Sequence, residues 1–230
     1  MSIDGAVESP NRWQFDSFDD ELGDQMGQLL ERVDTAAVGR VGYQEWTGFW
    51  PNAEPDDPFG GFINPIEKFV ASSTLTGDPK WQNSTPIDGE VEAFLAELKK
   101  TDGGEISLFS SISLVRQLLF CAPLDSLTLM IHPVIVGSGH RLFEPTDPTM
   151  RLGLVESMIT STGKSRRRLT TEQPYCSSVS GWRTSSPAST ASPYVQSTSE
   201  AYIETAGLTA APRSRWAAAC AREVFVSSSL

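Results

Sequence analysis

Apolar runs of strand length alternate with segments of helical periodicity throughout residues 1–163. The helical segments cover roughly 19–33, an aromatic stretch from Tyr43 to Trp50, 90–100 and 111–120. The segments 19–33 and 90–100 carry their apolar residues on one face. The runs predicted as strands lie at 35–38, 68–72, 84–87, 105–109, 127–136 and 152–159, whereas 51–65, rich in Pro, Gly and Asp, are predicted as loop. Strands that alternate with helices indicate an α/β fold, in which helices cover the faces of a sheet.

The pattern stops abruptly after Gly163. Residues 164–168 read Lys-Ser-Arg-Arg-Arg and open a segment dense in Ser, Thr, Pro and Ala, which is net basic although the whole chain carries −11. A segment of this composition buries too little apolar surface to offset the entropy of ordering it. We therefore predict a folded domain over 1–163 and a disordered tail over 164–230.

The acidic charge of the first domain argues against nucleic acid as its partner. The three cysteines form no CxxC pair, which indicates no disulfide framework and favours a cytoplasmic protein. No signal peptide is expected, and no apolar run is long enough to span a membrane. With two histidines in the chain, we expect no metal site.

Two predicted strands are followed by small-residue turns and then by helices. The first turn is Val38-Gly39-Arg40, and the second is Ser110-Ser111-Ile112-Ser113. Anionic phosphates bind at helix N-termini, where free N–H groups and small residues allow a close approach. The two turns could hold the pyrophosphate of a cofactor, or they could be ordinary connections of an α/β fold.

Polar residues near other predicted strand ends and helix starts are further candidates. Ser72 and Ser73 follow a strand and could bind a phosphate or cap a turn. An enzyme that protonates its substrate needs a proton donor, for which a carboxyl group is suitable. Asp4, Asp19 and Asp20 are candidates, although Asp4-Gly5 could form a turn and the other two could simply be favourable helix-start charges.

The ordered set of segments resembles the bacterial dihydrofolate-reductase-like family that includes the reductase domain of riboflavin biosynthesis. The segments that carry the resemblance are Ser2–Gly5, Val38–Arg40, Lys68–Ser72, Ser110–Leu119, and His132–Gly139 with Arg141–Phe143. The resemblance implies a three-layer α/β/α domain, frequently dimeric, that binds NADPH.

The resemblance also implies roles for individual residues. Gly39 and Arg40 would lie at the cofactor pyrophosphate, Ser72 and Ser73 at the adenosine 2′-phosphate, and Ser110, Ser111, Ile112 and Ser113 along the second phosphate turn. The substrate would lie between the Asp4-Gly5 loop and the first helix, with Asp20 as the favoured acid.

Three features depart from the family pattern. A strand normally precedes the Ser2–Gly5 segment, and its loss would expose backbone groups on both neighbouring strands. The second phosphate turn usually has glycine where Ser110 stands, so a Cβ could crowd the phosphate or strain a positive φ. The basic residues 164–168 replace an apolar strand.

We therefore expect an NADPH-dependent reductase of a small pterin- or pyrimidine-like heterocycle. Two other hypotheses remain open. One is a degenerate, non-catalytic copy of the same fold. The other is an interaction protein that meets an anionic partner through the basic residues Arg166–Arg168.

Overall fold

The computed structural model describes residues 1–14, 19–75, 79–121, 124–171 and 226–227, and the predicted tail beyond 171 otherwise lies outside the described residues. The helices are α1 (Asp20–Leu30), α2 (Arg40–Thr47), α3 (Pro58–Ile63), α4 (Val91–Leu98) and α5 (Ile112–Cys121). The strands are β1 (Val33–Gly39), β2 (Glu67–Ala71), β3 (Ser84–Pro86), β4 (Glu105–Phe109), β5 (Leu127–Ile131), β6 (Leu152–Ile159), β7 (Ser165–Thr171) and β8 (Val226–Ser227). No helix among these residues is both long and apolar enough to cross a membrane.

The strands form a parallel half and an antiparallel half. The parallel half has the order β3-β2-β1-β4, and the antiparallel half has the order β6-β7-β5-β8. Because β1, β2 and β4 are parallel, their carboxyl ends meet at one edge of the sheet, where ligands bind in open α/β folds.

Helices cover both faces of the parallel half, which confirms the predicted three-layer α/β/α architecture. Along β1, Ala36 and Val38 join one apolar cluster and Ala37 joins the other, as the alternation of side chains in a strand requires. The first cluster contains residues of α1, α2 and α3, and the second contains residues of α4 and α5.

Helix α3 lies within the segment predicted as loop, so that prediction is wrong for Pro58–Ile63. The Asp57 carboxylate accepts a hydrogen bond from the Gly60 N–H at 2.8 Å and caps the helix, and proline is favourable at a first helical position. Phe59 and Ile63 are then buried in the first cluster. A cap and two buried side chains therefore outweigh the low helix propensity of the segment.

Strand β7 corrects the predicted boundary at residue 164. Ser165–Thr171 pairs with both β5 and β6, so the sheet continues to Thr171. Arg166 is 6% exposed and forms an ion pair with Glu156, and Arg168 lies 3.9 Å from Glu105. Burial between two partner strands explains how a polar sequence joins the sheet, and it removes Arg166 from any solvent-facing basic patch.

Strand β8 lies at the end of the antiparallel half, beside β5. Its two residues pair with Thr128 and Leu129 of β5, and β8 also contacts β4. Farther along β5 and beyond it, the amino group of Met1 donates to the Met130 oxygen, and the His132 N–H donates to the Met1 oxygen at 2.8 Å. The expected exposure of the β5 backbone is therefore partly relieved.

Candidate functional site

The turns at the carboxyl ends of β1 and β4 pack directly against each other. We call Gly39 and Arg40 the β1 turn, and Ser110–Ser113 the β4 turn. A Cβ on Gly39 would lie 2.3 Å from the Ser111 Oγ, which is too close for any residue other than glycine. The turns precede α2 and α5, whose first N–H groups lack acceptors within their own helices. The fold thus brings two helix N-termini together.

A second glycine–serine contact lies beside the first. A Cβ on Gly42 would lie 2.3 Å from the Ser110 carbonyl oxygen. Ser110 itself has φ of 51°, in the left-handed region that favours glycine. The strain expected when serine replaces glycine at this position is therefore present in the backbone.

A cavity of about 1560 Å³ opens above these turns. All eight residues predicted to bind a cofactor line it, namely Gly39, Arg40, Ser72, Ser73, Ser110, Ser111, Ile112 and Ser113. The cavity exceeds the volume of roughly 300–1,000 Å³ common for small-molecule sites, so an extended ligand fits it. The structure therefore brings the predicted residues together, while their binding role stays a prediction.

Three of the serine hydroxyls, those of Ser72, Ser111 and Ser113, already have structural partners. The Ser72 Oγ accepts hydrogen bonds from the N–H groups of Thr74 and Leu75, at 3.2 and 2.9 Å. The Ser111 Oγ accepts one from the Leu114 N–H at 3.2 Å and so caps α5. Ser72 thus caps a turn, one of its two predicted roles, and its hydroxyl keeps its own hydrogen for a further acceptor. The Ser111 and Ser113 hydroxyls form a hydrogen bond with each other at 3.3 Å.

Asp4 has a structural role in this geometry. Its carboxylate accepts hydrogen bonds from the Val136 N–H, the Ser2 hydroxyl and the Gly137 N–H, and these hold its pKa well below the usual range. Arg141 adds an ion pair at 3.5 Å. Asp4 therefore fixes the loop that follows β5 and is poorly suited to donate a proton at neutral pH. Its predicted catalytic role gains no support.

The acids at the start of α1 lie outside the cavity lining. Asp20 is exposed at the first position of the helix, and its catalytic role stays a prediction. Asp19 caps the helix through the Leu22 N–H and pairs with Lys164 at 2.8 Å. Partial burial raises the pKa of Asp19, but hydrogen bonds from Lys164, Thr162 and Leu22 outweigh that effect and lower it to about 2.

His132 is a core residue, as its place on an apolar strand predicts. It is 1% exposed, lies edge-on to Trp13, and contacts the Gln14 amide nitrogen at 3.1 Å. Burial is the largest of the effects that lower its pKa, to about 4. The ring is therefore neutral at pH 7 and is not poised to exchange protons there.

Sequence reasoning missed several charged residues of the cavity lining. Glu8 lies at one end of the cavity, where its carboxylate accepts a hydrogen bond from the His140 N–H at 2.9 Å. Asp88 and Glu90 line it beyond β3. The sequence Asp88-Gly89-Glu90 follows a short predicted strand, and polar residues at a strand end are a signal that could have identified it as part of the site. Glu8 had none, because its neighbour in space is distant in sequence.

Comparisons with known proteins agree with this architecture. The family model of the RibD C-terminal domain matches residues 1–164. The uncharacterized protein YyaP of Bacillus subtilis (strain 168) is 26% identical over 167 residues, which cover 71% of this chain and 87% of YyaP.

Two solved structures share the fold. One, from Shewanella sp. PV-4 and described as a riboflavin biosynthesis protein, superposes with a TM-score of 0.61 at 17% identity, over 75% of this chain and 96% of that one. A pyrimidine reductase-like protein from Corynebacterium diphtheriae gives 0.53 at 18% identity, over 75% and 89%.

Proposed function

Because the chain belongs to the RibD C-terminal domain family, a family of reductases, we propose that it is an NADPH-dependent reductase of a small pyrimidine- or pterin-like heterocycle. The observation that carries the proposal is the pair of interlocked turns at the carboxyl ends of β1 and β4, which face one large cavity. A relative described as pyrimidine reductase-like supports the substrate class.

The residues of the cavity suit a dinucleotide. The β1 and β4 turns would hold the pyrophosphate, since two helix N-termini supply N–H donors and Gly39 allows a close approach. Arg40 is exposed at the first position of α2 and adds a positive charge beside them. Ser72 and Ser73 would lie at the adenosine 2′-phosphate.

A reduced nicotinamide, when bound, supplies a hydride for a C=N or C=O group of the substrate. The chain itself contributes orientation, exclusion of water and electrostatics. A carboxyl group or a water molecule would supply the proton, and Asp20 remains the proposed acid at the first helix. The pH–rate profiles of Asp20→Asn and Glu8→Gln would identify the acid. The fall in rate at high pH comes from ionisation of the proton donor, so only the variant that lacks this donor should lose that part of the profile.

Cofactor binding is the direct test. We would titrate the full chain with NADPH and follow cofactor fluorescence, expecting saturable binding. Gly39→Ala should weaken binding at least about tenfold, or about 1.4 kcal/mol, because its Cβ would collide with Ser111 and separate the turns. Gly61→Ala is the matched control, since a Cβ there meets nothing within 4 Å.

Failure of a folded sample to bind any nicotinamide cofactor would overturn the proposal. It would favour the degenerate copy instead, for which the strained Ser110 provides a physical reason.

The homodimer implied by the resemblance also remains a proposal. Strand β6 lies at the edge of the antiparallel half and exposes Leu154, Val155 and Ile159. A second copy could bury these side chains. Size-exclusion chromatography with light scattering would give the mass of the protein in solution. A monomeric mass at all concentrations would contradict this part of the proposal.

A further inference from the structure

Two serine side chains of the β4 turn fill the space that side chains would occupy at two facing glycines. A Cβ on Gly42 would lie 2.3 Å from the Ser110 Oγ and 2.5 Å from the Ser110 Cβ. In the same way, a Cβ on Gly39 would lie 2.3 Å from the Ser111 Oγ. Because Gly42 is in the first turn of α2, the Ser110 side chain reaches the N-terminal end of that helix.

The Ser110 hydroxyl differs from those of the neighbouring serines in its hydrogen bonding. The Ser111 hydroxyl caps α5 and bonds to Ser113. By contrast, no hydrogen bond joins the Ser110 Oγ to any residue that the structure describes. Ser110 is partly exposed and lines the cavity, so its hydroxyl can donate to a ligand there.

The start of α2 has no side-chain cap of its own. Its N-cap residue is Gly39, which offers no side-chain acceptor to the first N–H groups of the helix. Such N–H groups lack acceptors within the helix and favour an anion, and Arg40 adds a positive charge at the first helical position. A phosphate at this point would therefore meet N–H groups of α2 beside the Ser110 hydroxyl.

We propose that the Ser110 hydroxyl donates a hydrogen bond to the pyrophosphate of the cofactor, and that Gly42 leaves the space that this side chain needs. This inference rests on the proposed function. The left-handed φ of 51° at Ser110 is then strain kept at a functional site, because it directs the hydroxyl to the start of α2. Serine in place of the usual glycine is therefore a working ligand rather than damage to the turn.

Ser110→Ala is the direct test, because alanine keeps the Cβ and removes only the hydroxyl. It should weaken NADPH binding about tenfold, or about 1.4 kcal/mol, since the lost hydrogen bond is one to a charged group. NADH carries the same pyrophosphate and should weaken by the same factor. Adenosine 2′-monophosphate has no pyrophosphate, so its dissociation constant, measured by displacement of NADPH, should not change. The control Ser157→Ala removes an exposed hydroxyl outside the cavity lining and should alter none of these constants.

Ser110→Gly also removes the hydroxyl while it relieves the backbone, so it tests the proposal in a variant that is not expected to unfold. It should bind NADPH more weakly than the wild-type chain. Unchanged binding by Ser110→Ala, or unchanged or tighter binding by Ser110→Gly, would overturn this inference and leave the proposed reductase intact. Equal weakening of adenosine 2′-monophosphate would also overturn it, because the hydroxyl would then not act at the pyrophosphate. Absence of binding of either cofactor to the folded wild-type chain would overturn the proposed function itself.

Discussion

Replacing Ser110 with glycine should stabilise the protein. Ser110 has φ of 51°, and a left-handed conformation costs a non-glycine residue about 1–2 kcal/mol. Glycine relieves that cost but loses about 0.5–1 kcal/mol more backbone entropy on folding. The mid-range values of these two costs leave a gain of about 0.75 kcal/mol in the free energy of unfolding, or roughly 1.5–3 °C in Tm for a chain of this size.

Urea unfolding would measure the gain, with an unchanged m-value showing that the denatured state is unaffected. Ser111→Gly is the matched control, because Ser111 caps α5 through the Leu114 N–H. Because glycine is itself tolerated at an N-cap, this change should destabilise the protein by a few tenths of a kcal/mol, and it should give no gain in stability. If Ser110→Gly were neutral or destabilising, strain at the β4 turn would not limit stability, and our account of this turn would be wrong.

Three other substitutions or conditions test the packing and the buried charges. Gly42→Ala should lower the free energy of unfolding by about 1–3 kcal/mol, because its Cβ would lie 2.3 Å from a backbone oxygen of the β4 turn. The control Gly27→Ala should stabilise α1, since a Cβ there meets nothing within 4 Å, and equal effects of the two variants in urea unfolding would contradict this reasoning. Lys68→Met should lower the free energy of unfolding by about 3 kcal/mol in the same assay, because the buried ammonium donates to three carbonyl oxygens at 2.7–3.1 Å. At the exposed control position, Lys100→Met should cost under about 0.5 kcal/mol, and a similar loss for both variants would refute the argument. Burial lowers the pKa of His132 from 6.5 to about 4, so as the pH falls the unfolded state takes up the proton before the folded state does. The stability contributed by the neutral ring is therefore full above pH 6.5 and falls by up to about 3 kcal/mol as the pH drops to 4. His132→Gln should flatten this part of the curve of unfolding free energy against pH, and an unchanged slope would count against the argument.

Local patterns predicted most of the sheet and the cavity. The strand–turn–helix signals at Gly39 and Ser110 depend on residues adjacent in sequence, and the topology brings parallel strand ends to one edge. The eight residues predicted to bind a cofactor could therefore be identified from short stretches of sequence, and they all line the cavity.

The parts that sequence reasoning missed depend on tertiary partners. Strand β7 is polar, and its place in the sheet depends on pairing with β5 and β6 and on the ion pair between Arg166 and Glu156. The structural role of Asp4 depends on N–H groups of residues 136 and 137, far along the chain. Composition carries no information about such partners, so these elements could not be identified in advance.

The pairing of β8 with β5 has a consequence for the order of folding. Val226 and Ser227 lie far along the chain from Leu129 and Thr128, the residues they pair with. During synthesis β5 leaves the ribosome long before β8 does. Until β8 is made, the edge of β5 that pairs with it has unpaired backbone N–H and C=O groups. An open strand edge is a template for pairing with other chains. We therefore expect the chain to be most prone to aggregation in the interval before residue 226 emerges.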